Sequence, residues 1–513
     1  MTHEEGLAKL EAKRQSALAG GQGKVRDKHI EAGKLLVRQR LEILFDDGFD
    51  FEDGLLAGSE RDLPGDGIVT VIGKVNGRDV AVVANDMTVK AGTWGPQALL
   101  KFNRMQELAL ETGIPLLYLV DSAGARIDQQ KELFLGRNGW GNIWYNQVQI
   151  SGRVPQVCVL FGPSPAGAAY VPGLCDLVIM VDKQASAYLG SPRMAKMTIF
   201  EDVTEEQMGG ARLHCMFSGL GDVLVKNDAE GIEKAKQFLS YLPLNWTENA
   251  PSAQATEPNA EAVGKIDTVV PINQNVPYDV HQLIDGLIDE GSFFEVKELY
   301  AKEMTVGMAR LGGQPVGIVA NNSKHKGGVI FSDTSDKAAR FIWLCNAYNV
   351  PLLFLQDVSG YMIGSSVEKS GIIRHGAKLL SAVCESSVPR ICVLVRKAYG
   401  GGYLAMSGAP THPDAMLALP TALPALVGPE AAVNAIHYNR IMELPEEERA
   451  DFVKQKRDEF AKDIDVYRAA ADSFAAEDVL PASRLRDDLI KRFRIYSRRD
   501  AKVINRRSAV HPV

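Results

Sequence analysis

The sequence predicts an α/β protein made of two homologous domains in tandem, and three observations support this fold class. The segment IPLLYLVDSAG, which begins at Ile114, recurs as VPLLFLQDVSG from Val350. Around both copies, short apolar runs alternate with segments of helical periodicity. The chain has 513 residues, which is more than a single hydrophobic core usually supports.

The repeat keeps its register over a long stretch of the chain. The offset of 236 residues also aligns VVAND (Val82–Asp86) with IVANN (Ile318–Asn322). About fifty residues therefore align without a net gap, which chance similarity does not produce. We predict homologous domains at residues 1–246 and 263–513. The segment between them, 247–262, is rich in Pro, Ala and Glu and is interpreted as an exposed linker.

Within each domain, the pattern favours a mostly parallel sheet. The segments VAVVAN, PLLYLVD, QVCVLFG and LVIMVD are continuous apolar runs, which are typical of strands buried on both faces. The segment GPQALLKFNRMQELALETG, between two of these runs, has helical spacing and ends at Gly113. Buried strands separated by helices indicate βαβ crossovers.

Composition and charge exclude several classes of protein. Apolar residues make up 46% of the chain, and the net charge of −7 argues against a nucleic-acid-binding surface over the whole protein. The basic stretch from Lys491 is interpreted as a solvated or subunit-docking tail. The N-terminal segment lacks the apolar core of a secretory signal, and no apolar run is long enough to cross a bilayer. We therefore expect a cytoplasmic protein with no nucleic-acid partner and no membrane insertion.

The cysteines argue against a disulfide framework and against a zinc site. All six occur singly, mostly inside apolar runs, and never as CxxC. This pattern favours buried, reduced thiols. We expect no metal in this chain.

Runs of the smallest residues follow an apolar strand in both domains, in PSPAGAAY and in AYGGGY. Small residues let another molecule approach the backbone, and two adjacent N–H groups at the start of a helix can point at one oxygen. The alternative is that small residues only allow tight packing of a helix on a strand. Because the two runs match at an offset of 235, we favour two oxyanion holes, formed by the amides of Ala166 with Gly167 and of Gly401 with Gly402.

Other residues that follow these strands are candidates for substrate binding, since ligands of open α/β sheets gather beyond the carboxyl ends of the strands. They are Ala123, Gly124, Ala125, Arg126 and Tyr170 in the first domain, and Gly360, Tyr361, Tyr399 and Leu404 in the second. The small-residue runs contain no carboxylate or histidine that could act as a base, and His375 is interpreted as a packed helical histidine. Two oxyanion holes without a protein base suit a reaction between two carbonyl compounds.

Longer segments of the chain resemble the carboxyltransferase (β) subunits of biotin-dependent acyl-CoA carboxylases. The resemblance covers nearly the whole chain and includes GDGIVTVIGKVNG, ANDMTVKAGT, LVDSAGARI, GGVIFSDTSDKAARFI, FLQDVSGYMIG, GIIRHGAKLL, VPRICVLVRKAYGGGY and ALPTALPALVGPEAAV. It implies two tandem ClpP/crotonase-like domains, in agreement with the duplication.

The resemblance also implies a mechanism. The CoA thioester binds mainly to the first domain, where Ala166 and Gly167 hold its thioester oxygen while an enolate forms. Carboxybiotin binds mainly to the second domain, where Gly401 and Gly402 hold its ureido oxygen. The biotin nitrogen removes the α-proton, and the enolate attacks the released CO₂. The carboxyl group is then added at the α-carbon or at a vinylogous γ-carbon.

The expected partners follow from the same resemblance. Biotin is carried on a separate subunit that contains the biotin carboxylase and biotin carboxyl carrier parts. This chain forms a homo-oligomer, a hexamer. Each site is built from the first domain of one chain and the second domain of its neighbour.

Two rival functions remain open at this point. The carboxyltransferase of a biotin-dependent acyl-CoA decarboxylase, of glutaconyl- or methylmalonyl-CoA type, would use the same residues with a membrane pump as partner. A crotonase-type hydratase or isomerase without biotin would need acidic side chains in the first-domain site, and the sequence places none there.

The acyl group is not assigned by the sequence. Leu404 stands where many propionyl-type members carry Asp, which suggests a different acyl pocket, while other segments look like methylcrotonoyl-type members. We also expect the substitution Gly402→Val to abolish carboxyl transfer and to leave the fold largely intact.

Overall fold

The computed structural model describes residues 2–137, 139–461 and 464–499. The chain divides into two compact units, here called unit 1, which ends at Asn249, and unit 2, which begins at Ala250. Each unit contains a mixed sheet with helices, so the predicted α/β fold class is confirmed. No helix in the described ranges is long and apolar enough to span a membrane.

Unit 1 alternates strands and helices along the chain. Its strands are β1 Phe49–Asp53, β2 Ile68–Val75, β3 Arg78–Asn85, β4 Leu116–Val120, β5 Gln156–Leu160, β6 Pro163–Pro165, β7 Leu177–Val181, β8 Ser186–Tyr188 and β9 Val223–Val225. Its α-helices are α1 His3–Ala19, α2 Lys24–Glu31, α3 Val37–Leu44, α4 Pro96–Thr112, α5 Gln130–Leu133, α6 Gly141–Ile150, α7 Tyr170–Gly173, α8 Pro192–Thr198, α9 Glu205–Gly209, α10 Ala211–Leu213 and α11 Asp228–Leu239.

The main sheet of unit 1 has the order β1-β2-β3-β4-β5-β7-β9. The β1-β2 and β2-β3 pairs are antiparallel, and every later pair is parallel. Strands β6 and β8 form a separate parallel pair. The sheet is therefore mostly parallel, as the sequence pattern predicted, and its antiparallel start is a β-hairpin that the pattern did not reveal.

Unit 2 has the same plan. Its strands are β10 Phe294–Val296, β11 Met304–Leu311, β12 Gln314–Asn321, β13 Leu352–Val358, β14 Arg390–Tyr399, β15 Ala415–Ala418, β16 Leu423–Ala425 and β17 Asp478–Val479. Its α-helices are α12 Ala260–Lys265, α13 His281–Leu287, α14 Ser332–Ala347, α15 Ser365–Lys369, α16 Ile372–Glu385, α17 Gly400–Ala405, α18 Pro429–Glu443, α19 Glu446–Ala461, α20 Val466–Ser473 and α21 Ala482–Tyr496. The sheet order is β10-β11-β12-β13-β14-β15-β17, with β16 paired to β14.

The predicted strands and the predicted helix are present in unit 1. Every residue of β4, β5 and β7 is buried, as expected for strands covered on both faces. Helix α4 begins at Pro96, where a missing N–H has no cost, and it ends before Gly113 in the left-handed conformation.

The internal repeat extends further toward the start of each unit than the sequence comparison found. Residues 37–52 match residues 280–295 at an offset of 243 residues, with Asp46 matching Asp289. Asp46 accepts hydrogen bonds from two N–H groups in the turn between β2 and β3. Asp289 accepts the same bonds in the turn between β11 and β12. The two matched aspartates therefore accept equivalent hydrogen bonds in the two units.

Two interpretations from the sequence need adjustment. Helix α12 begins at Ala260, so an ordered element starts inside the predicted linker. The basic stretch from Lys491 begins in α21, where Phe493 is buried in the core of unit 2. The first part of that stretch is therefore not a solvated tail, and the part beyond Arg499 lies outside the described residues.

The cysteines agree with the prediction of reduced thiols. All six are free, and five of them are buried. Cys384, on α16, is the exposed one.

Candidate active site

In unit 1, the chain leaves β6 at Pro165 and enters a short 3₁₀ helix, Ala166–Ala169. Ala166 has a φ of +55°, a left-handed conformation that is costly for a residue other than glycine. The first N–H groups of a helix have no acceptor within it. Pro165 pairs with Tyr188 in the parallel β6–β8 ladder, and because proline has no N–H, this pair uses the N–H of Ala166. The N–H of Gly167, at the second position of the helix, is therefore the better candidate for binding an oxygen atom.

Gly167 lies against two indole rings. A methyl carbon built on Gly167 would lie 3.0 Å from Cζ2 of Trp144 and 3.2 Å from Cζ2 of Trp140. The ring of Trp140 packs on Trp94, and that of Trp144 packs on Tyr170, which is 48% exposed. The sequence analysis did not single out these tryptophans. Their spacing in WGNIW, four residues apart near the start of α6, was an available signal.

The turn after β4 lies beside this helix. The N–H of Ser122 donates to the carbonyl oxygen of Pro163 at 3.0 Å. Gly124, with a φ of +92°, approaches Pro165 so closely that a methyl carbon on Gly124 would lie 3.3 Å from the proline ring. The fold therefore brings the predicted residues Ala123 to Arg126 next to the turn that contains Ala166 and Gly167.

The side chain of Arg126 supports this turn from inside the protein. Its guanidinium donates to the carboxylate of Asp66 at 2.5 Å, to the backbone oxygens of Asp66 and Thr93, and to the hydroxyl of Thr93. These contacts use most of its five N–H groups. The contacts of Arg126 therefore indicate a role in shaping the turn.

In unit 2, the chain passes from Tyr399 directly into α17. Gly400 is left-handed, with a φ of +53°. Gly401, the second residue of the helix, is exposed, and its N–H has no acceptor within the helix. A methyl carbon on Gly401 would lie 3.5 Å from the ring of Tyr361, which is an ordinary contact distance.

The structure corrects the register of the two small-residue runs. Pro165 and Tyr399 both precede the helix, Ala166 and Gly400 are both left-handed, and Ala168 and Gly402 are both buried. Ala166 is thus equivalent to Gly400, and Gly167 to Gly401, at the offset of 234 already seen in the preceding strand. The predicted offset of 235 at this point is wrong, because the conformation of the turn, and not the letter match, defines equivalence.

The expectation that Gly402→Val leaves the fold intact is also wrong. A methyl carbon on Gly402 would lie 2.8 Å from Cα of Gly360 and 3.0 Å from the side chain of Val358. The backbone cannot move away as the end of a flexible side chain could. Gly402 is therefore needed for close packing of α17 on the turn after β13, and Gly401 is the position where a side chain would project outward.

Two further predicted residues lie on the same segment of unit 2. Tyr399 is 5% exposed, and its hydroxyl donates to the side-chain oxygen of Gln274 at 2.6 Å. Its side chain therefore stabilises the interior of unit 2. Leu404 is half-buried on α17.

An apolar groove opens beside Tyr361 and has a volume of about 340 Å³. It is lined by Tyr361, Met362, Ile363, Glu368, Ile372, Ile373, Gly376, Ala377 and Leu380. The ring of Tyr361 thus lines the groove and also faces Gly401.

The carboxylates that follow the central strands are held in ion pairs. Asp121, after β4, contacts Lys34 at 3.2 Å and Arg40 at 3.1 Å. Asp357, in β13, contacts Arg396 at 2.8 Å. Each of these contacts is an ion pair with a lysine or an arginine, so neither carboxylate is positioned as a free base.

His375 lies on α16, as predicted for a packed helical histidine. Its Nδ1 is 2.8 Å from the carboxylate of Asp336, and its side chain is 18% exposed. Among the described residues, no cluster of three or more His, Cys, Asp or Glu side chains is arranged to hold a metal ion.

Comparison with known proteins identifies the family. The carboxyl transferase domain family matches residues 28–510. The chain belongs to this family. It is 54% identical over 495 residues to the uncharacterized carboxylase YngE of Bacillus subtilis (strain 168), with 96% of each chain covered. It is 37% identical over 506 residues to the carboxyltransferase subunit of propionyl-CoA carboxylase from Haloferax mediterranei, again with 96% of each covered.

A solved structure supports the same family. Transcarboxylase 12S, a hexamer with methylmalonyl-coenzyme A and methylmalonic acid bound, matches with a TM-score of 0.92 and 34% identity. The match covers 100% of this chain and 99% of that one. The chain is thus a carboxyltransferase of the biotin-dependent acyl-CoA carboxylase class, with a crotonase-like fold, which confirms the predicted family and enzyme class.

Proposed function

We propose that this carboxyltransferase moves a carboxyl group from carboxybiotin to an acyl-CoA, and that each unit holds the oxygen of one substrate. The observation that supports this is the pair of equivalent turns at Ala166–Gly167 and Gly400–Gly401. Each turn begins with a left-handed residue, and each has at its second position a glycine whose N–H has no acceptor within its helix. Such donors, already in place when negative charge develops, contribute roughly 3–4 kcal/mol to lowering a barrier.

Unit 1 is proposed to bind the CoA thioester. The amide of Gly167, which is equivalent to Gly401, would hold the thioester oxygen while the α-carbon gains carbanion character. The neighbouring turn, Ala123 to Arg126, would contact the same ligand, because Gly124 lies against Pro165. The exposed ring of Tyr170 would add an apolar surface for it.

Unit 2 is proposed to bind the donor. The amides at Gly401 and Gly402 would hold the ureido oxygen of carboxybiotin. The apolar groove beside Tyr361 suits the apolar rings and chain of biotin. Seven of its nine lining residues are apolar or glycine, and the other two are Tyr361 and Glu368. Gly360, on which Gly402 packs, and Leu404, on the same helix as Gly401, would complete the donor site.

The reaction needs no base from the protein. The N–CO₂ bond of the donor breaks, the ureido nitrogen takes the α-proton of the acyl-CoA, and a new C–C bond joins the α-carbon to CO₂. The ion pairs of Asp121 and Asp357 are consistent with this proposal, since both carboxylates are already engaged.

The proposed assembly follows the family. We place the chain in a cytosolic hexamer, in which unit 1 of one chain and unit 2 of a neighbour form each site. A separate subunit with biotin carboxylase and biotin carboxyl carrier parts would supply the carboxybiotin. An acyl-CoA decarboxylase is the second candidate, and its partner would be a membrane pump instead of an ATP-using subunit.

The substitution Gly401→Val tests the proposal. The purified chain is incubated with free biotin and radiolabelled malonyl-, methylmalonyl- or 3-methylglutaconyl-CoA, and transfer of label to biotin is measured. Because a side chain at Gly401 projects outward, the variant should fold and yet lose transfer by about a hundredfold or more. Gly264→Val is the matched control, since no atom lies within 4 Å of a methyl carbon there. Full activity in Gly401→Val would contradict the proposed role of unit 2.

A further inference from the structure

Two buried lysines occupy equivalent positions in the two units. Lys101 lies on α4 and Lys337 on α14, at the same offset of 236 residues that aligns the surrounding strands. They are 7% and 2% exposed. Burial lowers the pKa of Lys101 to about 8 and that of Lys337 to about 7. Burying an amino group costs free energy, so two buried lysines at equivalent positions indicate a structural or functional role.

Both amino groups bind backbone carbonyl oxygens of the loop that leads into the second strand of the sheet. Nζ of Lys101 donates to the carbonyls of Gly65, at 3.2 Å, and Ile68. Nζ of Lys337 donates to three carbonyls, those of Lys297 and Tyr300, each at 2.8 Å, and Ala301, at 3.4 Å.

These loops are strained, and the lysines hold them. In unit 1, residues 65, 66 and 67 are left-handed in succession, with φ values of +59°, +55° and +82°. In unit 2, Lys297 and Ala301 are left-handed. A left-handed residue other than glycine costs free energy unless its surroundings fix it. The ammonium groups provide that fixation by binding the carbonyls between and beside these residues.

From the loop of unit 1, hydrogen bonds lead to the proposed acyl-CoA site. The carbonyl of Gly67 accepts the N–H of Asp86 at 2.9 Å. The side chain of Asn85 donates to the carbonyl of Gly92 at 3.0 Å. Two residues further, the N–H of Trp94 donates to the carbonyl of Gly124 at 2.9 Å. Gly124 is the residue that lies against Pro165.

Unit 2 repeats each of these bonds at the offset of 236. The carbonyl of Glu303 accepts the N–H of Asn322 at 2.9 Å, and the side chain of Asn321 donates to the carbonyl of Gly328 at 3.2 Å. The N–H of Ile330 then donates to the carbonyl of Gly360 at 3.1 Å. Gly360 is the residue on which Gly402 packs.

We propose that Lys101 and Lys337 are positioning residues, each for a different substrate. Lys101 fixes the turn at Gly124 that binds the acyl-CoA, and Lys337 fixes the turn at Gly360 that borders the donor site. The assignment of substrates rests on the proposed function. The series of hydrogen bonds is the same in both units although the loop sequences differ. This agreement supports a shared role for the two lysines.

The substitutions Lys101→Met and Lys337→Met test this, because methionine keeps most of the unbranched side chain and removes its charge and donors. Steady-state transfer to free biotin gives a KM for each substrate, and calorimetry gives the Kd of propionyl-CoA without turnover. Lys101→Met should raise the KM and Kd of the acyl-CoA about tenfold and leave the KM of biotin unchanged. Lys337→Met should raise the KM of biotin about tenfold and leave the KM and Kd of the acyl-CoA unchanged. Lys101→Arg and Lys337→Arg, which keep the charge, should recover part of the loss.

Matched controls separate positioning from loss of stability. Met105 and Phe341 are buried on the same two helices, one turn further along, and are equivalent at the offset of 236. Met105→Ala and Phe341→Leu should lower the melting temperature and leave both KM values unchanged. The proposal is overturned if each lysine variant affects both substrates alike, if neither affects a KM or Kd, or if the controls reproduce the shifts. Absence of transfer in the unmodified protein would refute the proposed function, and the Kd values would still decide the role of Lys101.

Discussion

Gly401 and Gly402 are neighbours in sequence with opposite surroundings, and this predicts a difference in stability. A methyl group on Gly402 meets the backbone of Gly360, while one on Gly401 meets the ring of Tyr361 at an ordinary distance. Gly402→Ala should therefore lower the free energy of unfolding by about 2 kcal/mol, which is typical of overpacking. Gly401→Ala should change it by less than about 0.5 kcal/mol. Urea titration of both variants measures the difference, and equal values would contradict the packing seen here.

His281 predicts a pH dependence of stability. Its Nδ1 is 2.6 Å from Asp279, and its Nε2 is 2.7 Å from Glu295. The hydrogen bond that Nε2 of His281 donates to Glu295 is the largest cause that raises the pKa of His281 from 6.5 to about 9. Because the pKa is raised in the folded state, the stabilisation is complete below pH 6.5 and is lost as the pH rises through about 9. The side chain is a third exposed, so we expect a loss of only about 1–2 kcal/mol.

The equivalent residue of unit 1 suggests a control substitution for this prediction. Arg38, the residue equivalent to His281, forms the corresponding ion pair with Glu52 at 2.9 Å. His281→Arg should therefore keep the charge and flatten the change in urea midpoint between pH 6.5 and 9. His281→Gln should flatten it too, at a lower stability. If His281→Arg retains the full pH dependence of the unmodified protein, another group causes it.

Leu404 predicts an effect on substrate choice. It is half-buried on α17, two residues after Gly402, where an aspartate would place a charge beside the proposed donor and acyl groups. Leu404→Asp should change the ranking of acetyl-, propionyl- and branched acyl-CoA in a transfer assay. Leu404→Asn, of similar size and without charge, separates the effect of charge from that of shape. An unchanged ranking in both variants would remove Leu404 as a determinant of specificity.

At the scale of elements, the two equivalent aspartates should differ in importance. Asp289 is 2% exposed and binds two N–H groups of the β11-β12 turn together with Arg486, at 2.7 Å. Asp46 is exposed, and among the described residues its side chain binds only N–H groups of the turn between β2 and β3. Asp289→Ala leaves the mostly buried Arg486 without its carboxylate partner and should cost about 3–5 kcal/mol. Asp46→Ala should cost about 1 kcal/mol.

Urea unfolding of the two alanine variants, with Asp289→Asn as control, measures this difference between elements. The asparagine keeps a hydrogen-bond acceptor and loses the charge, so its value should fall between those of the unmodified protein and Asp289→Ala. If Asp46→Ala lowers the free energy of unfolding as much as Asp289→Ala does, then burial does not decide how much the aspartate at this turn contributes to stability.

At the scale of the whole molecule, the proposed assembly predicts complementation between two inactive variants. Ala166→Phe and Gly401→Val each block one half-site at an exposed position. If each site combines unit 1 of one chain with unit 2 of another, then random mixed oligomers restore about a quarter of the sites. Dissociating, mixing and reassembling the two variants, followed by the transfer assay, measures this. If the sites lay within one chain, no activity would return, since every chain carries one defect.

The sequence by itself determined the duplication, the strands and the family. Strands such as β4 and β5 are readable because burial on both faces makes nearly every residue apolar, and α4 is readable from its spacing and from Gly113. The small-residue turns are readable because only small residues allow such close approach to a backbone. These features depend on local composition, which a sequence states directly.

Only the tertiary structure decided which role each of these residues can have in packing or in the site. The difference between Gly401 and Gly402 depends on Gly360, which lies about forty residues earlier in the chain. The supporting roles of Arg126, Lys101 and Lys337 depend on carbonyls and carboxylates brought close by the sheet. A sequence lists the donors and acceptors but not the distances between them, and hydrogen bonding and packing act over distances of a few ångströms. For this reason the fold was predictable from local pattern, and the register of the site and its supporting contacts were not.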